Sequence, residues 1–192
     1  MSTINDLHSL PDDLPVPVDD GACDHLEGSR LPSLTLPTTD GPDVDLSALP
    51  GQSVVFIYPR TGQPGLPPLI PDWNEVPGAR GCTPQTSGYR DLAAEFAAHD
   101  CRIFGLSTQT TDYQRELVAR LGLPFPLLSD AKLELAHALR LPMFDAAGHM
   151  LLKRMAWVIE DGVIVKVWYP VFPPDRNAAQ VLDWLRTHSA RR

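Results

Sequence analysis

Ser53-Val-Val-Phe-Ile-Tyr58 stands between the breakers Pro50-Gly51 and Pro59. From Val54 onward every residue of this run is β-branched or aromatic, with no alternation of polar and apolar positions. A short run of this kind marks a strand buried on both faces, and such a strand belongs at the centre of a sheet with cover on either side.

Working outward, residues 84–99 follow helical rules: Thr83 caps, Pro84 suits the first helical position, and Tyr89, Leu92, Ala93, Phe96 and Ala97 recur at three and four. Residues 102–108 read as a second strand, 112–121 as an amphipathic helix, 125–128 as a short strand, and 131–139 as a helix stopped by Leu141-Pro142. Residues 155–159 and 163–168 flank Glu160-Asp161-Gly162, a hairpin signal, and residues 178–188 close with a helix that turns Val181, Leu182 and Leu185 inward. On the other side of the central run, 33–36 and 44–46 form an edge hairpin around Asp40-Gly41-Pro42. Residues 1–28, with Pro11, Pro15, Pro17 and the pairs Asp12-Asp13 and Asp19-Asp20, show no period and read as an extended N-terminal arm. Strands separated by helices, then a hairpin and a last helix, describe an α/β domain over 29–190 with a mixed central sheet flanked by helices, the outline of a thioredoxin-like fold.

Composition narrows the function. With 192 residues and 43% hydrophobic content the chain supports one core. Sixteen Lys and Arg against 24 Asp and Glu leave −8, which disfavours nucleic acid and anionic lipid as partners. No apolar run approaches the ~20 residues of a membrane span. The first residues lack the basic and apolar regions of a signal peptide, so a cytoplasmic location is expected. Three cysteines without a CxxC, and histidines scattered from His8 to His188, speak against a disulfide framework and a metal site.

One segment departs from ordinary α/β geometry. About 24 residues separate Tyr58 from the next helix, where ~2–6 are usual. Pro59, Pro64, Pro67, Pro68, Pro71 and Pro77 stiffen this loop and Trp73 offers an anchor, as in a packed lid. At its end stands Gly81-Cys82-Thr83-Pro84, with Arg80 adjacent. Unpaired N–H groups at a helix start and a nearby cation favour a thiolate, the reactive form of cysteine. Cys101 lies a helix length away, ~20–25 Å, and reads as a core residue. Cys23 sits in the irregular arm, in Gly21-Ala22-Cys23-Asp24-His25, among carboxylates.

Five segments occur in an order that carries a resemblance: Phe56-Ile-Tyr-Pro-Arg60; Gly81-Cys-Thr-Pro-Gln85 with Tyr89-Arg90-Asp91; Gly105-Leu-Ser-Thr108; Phe125-Pro-Leu-Leu-Ser-Asp130; and Arg154-Met-Ala-Trp-Val-Ile159 before Asp161-Gly162. Across most of residues 31–174 the sequence resembles peroxiredoxins of the AhpC/TSA type, on the bacterioferritin-comigratory branch and in a subgroup with a long loop before the active cysteine. The resemblance implies that Cys82 is the peroxidatic cysteine, that Arg154 contacts it and the peroxide, and that Pro59 shields the thiolate. It further implies reduction of hydrogen peroxide or organic hydroperoxides without metal or organic cofactor. A thiol donor such as thioredoxin, glutaredoxin or a low-molecular-weight thiol would restore the cysteine. Two positions depart from the pattern. The usual Thr or Ser three residues before the cysteine is Ala79, and Thr61 is the candidate to supply that hydroxyl. The usual resolving cysteine five residues after it is Ser87, so the enzyme is either of the one-cysteine kind or uses Cys23. A monomer is the first expectation for the assembly and a dimer the second. The rival class is a redox sensor or binding protein that reads Cys82 oxidation through Trp73 and Leu69-Ile70; a CxxC oxidoreductase is disfavoured because Gln85 holds the place of the second cysteine.

Overall fold

The computed structural model describes residues 6–189. The first five residues of the expected arm and Ala190, the last of the expected domain, lie outside the described residues. The centre is a five-stranded sheet. It contains β3 (Gln52–Ile57), β4 (Cys101–Ser107), β5 (Leu127–Ser129), β8 (Met155–Glu160) and β9 (Val163–Trp168), ordered β5-β4-β3-β8-β9. The apolar run decides this order: β3 pairs in parallel with β4, Gln52 opposite Cys101 to Ile57 opposite Leu106, and antiparallel with β8. Two small hairpins flank the sheet, β1 (Thr35–Leu36) with β2 (Val44–Asp45) and β6 (Met143–Ala146) with β7 (His149–Leu152). The β8–β9 turn has left-handed φ at Asp161 (46°) and Gly162 (78°), the primed geometry that suits strand twist. A Cβ at Gly162 would fall 2.3 Å from the Ser47 carbonyl oxygen, so only glycine fits there.

Successive side chains of a strand point to opposite faces, and β3 splits its residues accordingly. Val54, Phe56 and Tyr58 face α1 (Cys82–Asp91), α2 (Ala93–Ala98), α3 (Thr111–Leu121) and α5 (Asn177–Ser189). Phe56 stacks on Tyr89 at 4.4 Å and 11° and meets Phe125 edge-on at 5.8 Å, contacts worth ~0.5–1.5 kcal/mol each beyond burial. Val55 and Ile57 face the other way, toward Trp157, α4 (Glu134–Ala138) and the N-terminal pieces that carry Leu36, Leu46, Leu26 and Cys23.

Several elements differ from the sequence reading. The helix expected over 84–99 is two helices, interrupted at Leu92 (φ −99°, ψ 7°), and Tyr89 and Phe96 meet across the break at 5.6 Å. Its start is Cys82, not Pro84, and Gly81 rather than Thr83 takes the cap position. Pro84 is tolerated at the third helical position because the first N–H groups of a helix have no intrahelical acceptor. The helix over 131–139 shortens to α4, whose start is held by the Asp130 carboxylate accepting from the Leu135 and Ala136 N–H groups at 3.1 and 2.8 Å. The β6–β7 hairpin is an addition; its turn at Ala147-Gly148 lacks the Asn-Gly or Asp-Gly signal. Residues 6–28 contain no helix or strand, yet Cys23 and Leu26 are buried in the core.

Candidate active site

The long loop returns to the sheet at Gly81, whose φ of 108° is open to glycine. A Cβ there would lie 2.3 Å from Pro174 and 2.9 Å from Leu10, so glycine also allows the loop to pack closely. Cys82 follows as the first residue of α1 and is 4% exposed.

Arg154, 2% exposed and immediately ahead of β8, reaches this point from the sheet. Its Nη2 donates to Cys82 Sγ at 3.2 Å and to the carbonyl oxygens of Ala79 (3.0 Å) and Arg80 (3.2 Å); Nε donates to Gly78 O at 3.2 Å. Three consecutive carbonyls thus wrap one guanidinium, which pins the returning loop and aims its fork at the sulfur. Among the described residues no carboxylate bonds Arg154. Its permanent charge therefore faces the sulfur without a competing anion.

The remaining nitrogen, Nη1, donates to Gln85 Oε1 at 2.5 Å. Arginine can only donate, so Gln85 must present oxygen to it and point its amide nitrogen away. That nitrogen donates to Asn177 Oδ1 at 3.1 Å, and the Tyr89 hydroxyl donates to the same oxygen at 2.8 Å. Gln85 and Asn177 are fully buried, and Asn177 Nδ2 has no hydrogen-bond partner. The direction imposed by the arginine thus leaves its cost at the far end of the chain, an orphaned donor worth about 1–3 kcal/mol.

Cys82 opens onto a cleft of about 330 Å³ walled by Leu7, Arg60, Thr61, Leu69, Trp73 and Tyr113. Thr61 is 1% exposed, and its N–H and hydroxyl donate to Gln109 Oε1 at 3.0 and 3.2 Å. Its carbonyl takes the Tyr113 hydroxyl at 3.0 Å. With its proton committed, the Thr61 oxygen keeps accepting capacity, and Thr61 lines the same cleft as Cys82. Pro59 is buried two residues earlier. Trp73 is 8% exposed and packs with Ala79, Ala146 and Leu151, its ring 6.3 Å from that of Phe144, so the Pro-rich loop is anchored on the β6–β7 hairpin.

The other cysteines are not brought here. Cys101 is paired with the start of β3, about six strand residues or ~20 Å from the end that Cys82 follows; burial pushes its thiol up to about 12. Cys23, placed by its sequence in a pliable arm, is 4% exposed behind the opposite face of the sheet, its Sγ 3.8 Å from Met155 Sδ. Burial first, then Asp20, Asp19 and Asp24, push it up to about 12. Ser87 lies half-buried on α1. Among the described residues no group of three or more His, Cys, Asp or Glu side chains could hold a metal, and no helix is long and apolar enough to cross a membrane.

Gln85, Gln109, Tyr113, Asn177 and Leu7 join the site without having been singled out as site residues. Only Gln85 left a signal, one helical turn after Cys82 on the same face.

Fold and site together define a thioredoxin-like domain with one cysteine at a helix start under a buried arginine. The Redoxin family model matches residues 26–182, and the chain belongs to that family, on its bacterioferritin-comigratory peroxiredoxin branch. It is 32% identical over 138 residues to Peroxiredoxin bcp1 of Schizosaccharomyces pombe, covering 70% of this chain and 60% of that protein. It is 27% identical over 164 residues to a putative peroxiredoxin bcp of Coxiella burnetii, covering 82% and 97%. The crystal structure of Peroxidoxin BcpB from Mycobacterium tuberculosis superposes with a TM-score of 0.68 at 28% identity, covering 84% of this chain and 97% of that one.

Proposed function

We propose that the protein is a thiol peroxidase of the one-cysteine kind, with the Cys82 sulfur as its nucleophile and hydrogen peroxide or an organic hydroperoxide as substrate. The observation that carries this reading is the 3.2 Å approach of Arg154 Nη2 to Cys82 Sγ, with Cys82 lining an open cleft. The Cys82 thiolate attacks the terminal oxygen of the hydroperoxide in line with the O–O bond. The S–O bond forms as the O–O bond breaks, two electrons pass from sulfur to the peroxide, and the departing alkoxide or hydroxide takes a proton to leave as alcohol or water. Arg154 stabilises charge on the sulfur and on the leaving oxygen, Thr61 orients the peroxide as an acceptor, and Pro59 with the anchored loop limits water.

One external thiol then attacks the Cys82 sulfenic acid and releases water, and a second reduces the mixed disulfide. The donor is a thioredoxin, a glutaredoxin or a low-molecular-weight thiol, and Cys23 and Cys101 take no part. This is a cytoplasmic reaction of a monomer, with a dimer as the alternative assembly.

Intact mass and peptide mapping after one equivalent of peroxide test this reading. The expected product is one added oxygen on Cys82, lost in Cys82→Ser, with turnover when a thiol donor is supplied. A Cys82–Cys23 disulfide would overturn the one-cysteine mechanism. Oxidation at Cys82 without turnover under any donor class would favour the sensor, and an unreacted Cys82 would remove the peroxidase.

A further inference from the structure

Residues 6–25 precede the stretch that matches the family, contain no helix or strand, and make only local turn hydrogen bonds among themselves. From Asp6 to Pro17 they are nevertheless held against the loop that delivers Cys82. Arg80 donates to the carbonyl oxygens of Asp6 and Ser9. Leu7 packs over Gly62, Leu10 over Gly81 and Pro17 over Gly78, each at a position where a side chain would crowd or touch the segment. Asp20 ties the far end through Lys153 Nζ and the Tyr169 hydroxyl, both at 2.9 Å. Two of those glycines bracket Ala79 and Arg80, whose carbonyls hold Arg154. The segment therefore runs as a strap across the loop that delivers Cys82.

Within the strap Leu7 is half-buried while its neighbours Asp6 and His8 are exposed. It lines the cleft that Cys82 opens onto, as do Trp73 and Leu69 of the Pro-rich loop. The lining of the cleft thus joins Cys82 and Thr61 to the apolar side chains of Leu7, Leu69 and Trp73. Hydrogen peroxide has no carbon to place against those side chains, whereas the carbon body of an organic hydroperoxide would displace water from them.

We propose that Leu7 is a specificity-determining residue, the part of the strap that grips the carbon body of an organic hydroperoxide while its O–O group sits at Cys82. This rests on the peroxidase reading and adds to it a substrate contact from outside the family-matching region. Rate constants for Cys82 oxidation in the full chain, with cumene hydroperoxide and with hydrogen peroxide, provide the test. Leu7→Ala removes apolar contact and is expected to slow cumene hydroperoxide by about fivefold while leaving hydrogen peroxide within about twofold. Leu7→Met, of similar volume, should keep the ratio of the two rates near that of the unchanged chain. Equal slowing of both peroxides, an unchanged ratio or a faster cumene reaction in Leu7→Ala would overturn the role of Leu7 while leaving the peroxidase intact. If the unchanged chain oxidises Cys82 with neither peroxide, the peroxidase reading itself falls and takes this proposal with it.

Discussion

Cys82 and Cys23 lie behind opposite faces of the same sheet, and two consecutive residues show how differently the faces treat a thiol. Arg154 turns its guanidinium to Cys82 at 3.2 Å, while Met155 turns its thioether to Cys23 at 3.8 Å. The alternation of a strand sends a permanent cation one way and an uncharged sulfur the other. On the Cys82 side a cleft admits solutes and carbonyls organise the cation. On the Cys23 side burial and three nearby aspartates oppose ionisation. Equal burial, 4% for each residue, therefore says little about reactivity; the charge facing the sulfur and the opening beside it decide.

The sharpest way to break this contrast is Arg154→Met, which makes the Cys82 side resemble the Cys23 side in charge and volume. The second-order rate of Cys82 oxidation at neutral pH should fall by about 10²–10³-fold, the scale of losing a preorganised donor to developing charge. A fall below about threefold would show that the helix start alone activates the sulfur. A weaker form of the same attack is Asn177→Leu. It removes the acceptor that fixes the Gln85 amide, so Gln85 no longer holds Arg154 in one rotamer, and the rate should fall by about tenfold. Because Tyr89 also loses its partner, the thermal transition is measured alongside. Rescue of the rate by Asn177→Asp, which keeps an acceptor, would separate positioning from loss of fold.

The two regions were unequally legible in the sequence. The central strand and the β8–β9 hairpin could be read because an uninterrupted apolar run and an Asp-Gly turn are local signals. Cys82 could be placed at a strand-loop-helix junction, but the start of its helix was displaced by two residues, since proline more often opens a helix than occupies its third position. Arg154 entered only through the resemblance, because nothing local separates it from a surface charge before a strand. Gln85 and Asn177 are 92 residues apart, so the spacing that puts Gln85 one turn after Cys82 says nothing of Asn177, which reads alone as an ordinary polar residue at a helix end. Leu7 and Cys23 sit in a segment without period, so their packing depends on tertiary contacts that no window of sequence contains.

The smallest expected effect tests the quiet side of the comparison. Cys23→Ala should leave Cys82 oxidation and thiol-dependent turnover within about twofold, since no atom of Cys23 faces the cleft. Its mark should appear in stability at high pH. The Cys23 thiol is raised from its reference of 9.0 to about 12 in the fold, so the folded chain keeps a proton that the unfolded chain releases. The resulting stability is fully present below pH 9 and is lost as pH rises toward about 12, at up to about 1.4 kcal/mol per pH unit. Cys101 adds a like contribution from its own burial, and Cys23→Ala leaves that one in place. Urea unfolding of the reduced protein at pH 8 and pH 10.5 should therefore show a smaller pH-dependent loss of stability in Cys23→Ala than in the unchanged chain. Parallel losses would mean that the Cys23 thiol titrates in the fold, and that the face taken here as inert holds a second reactive sulfur.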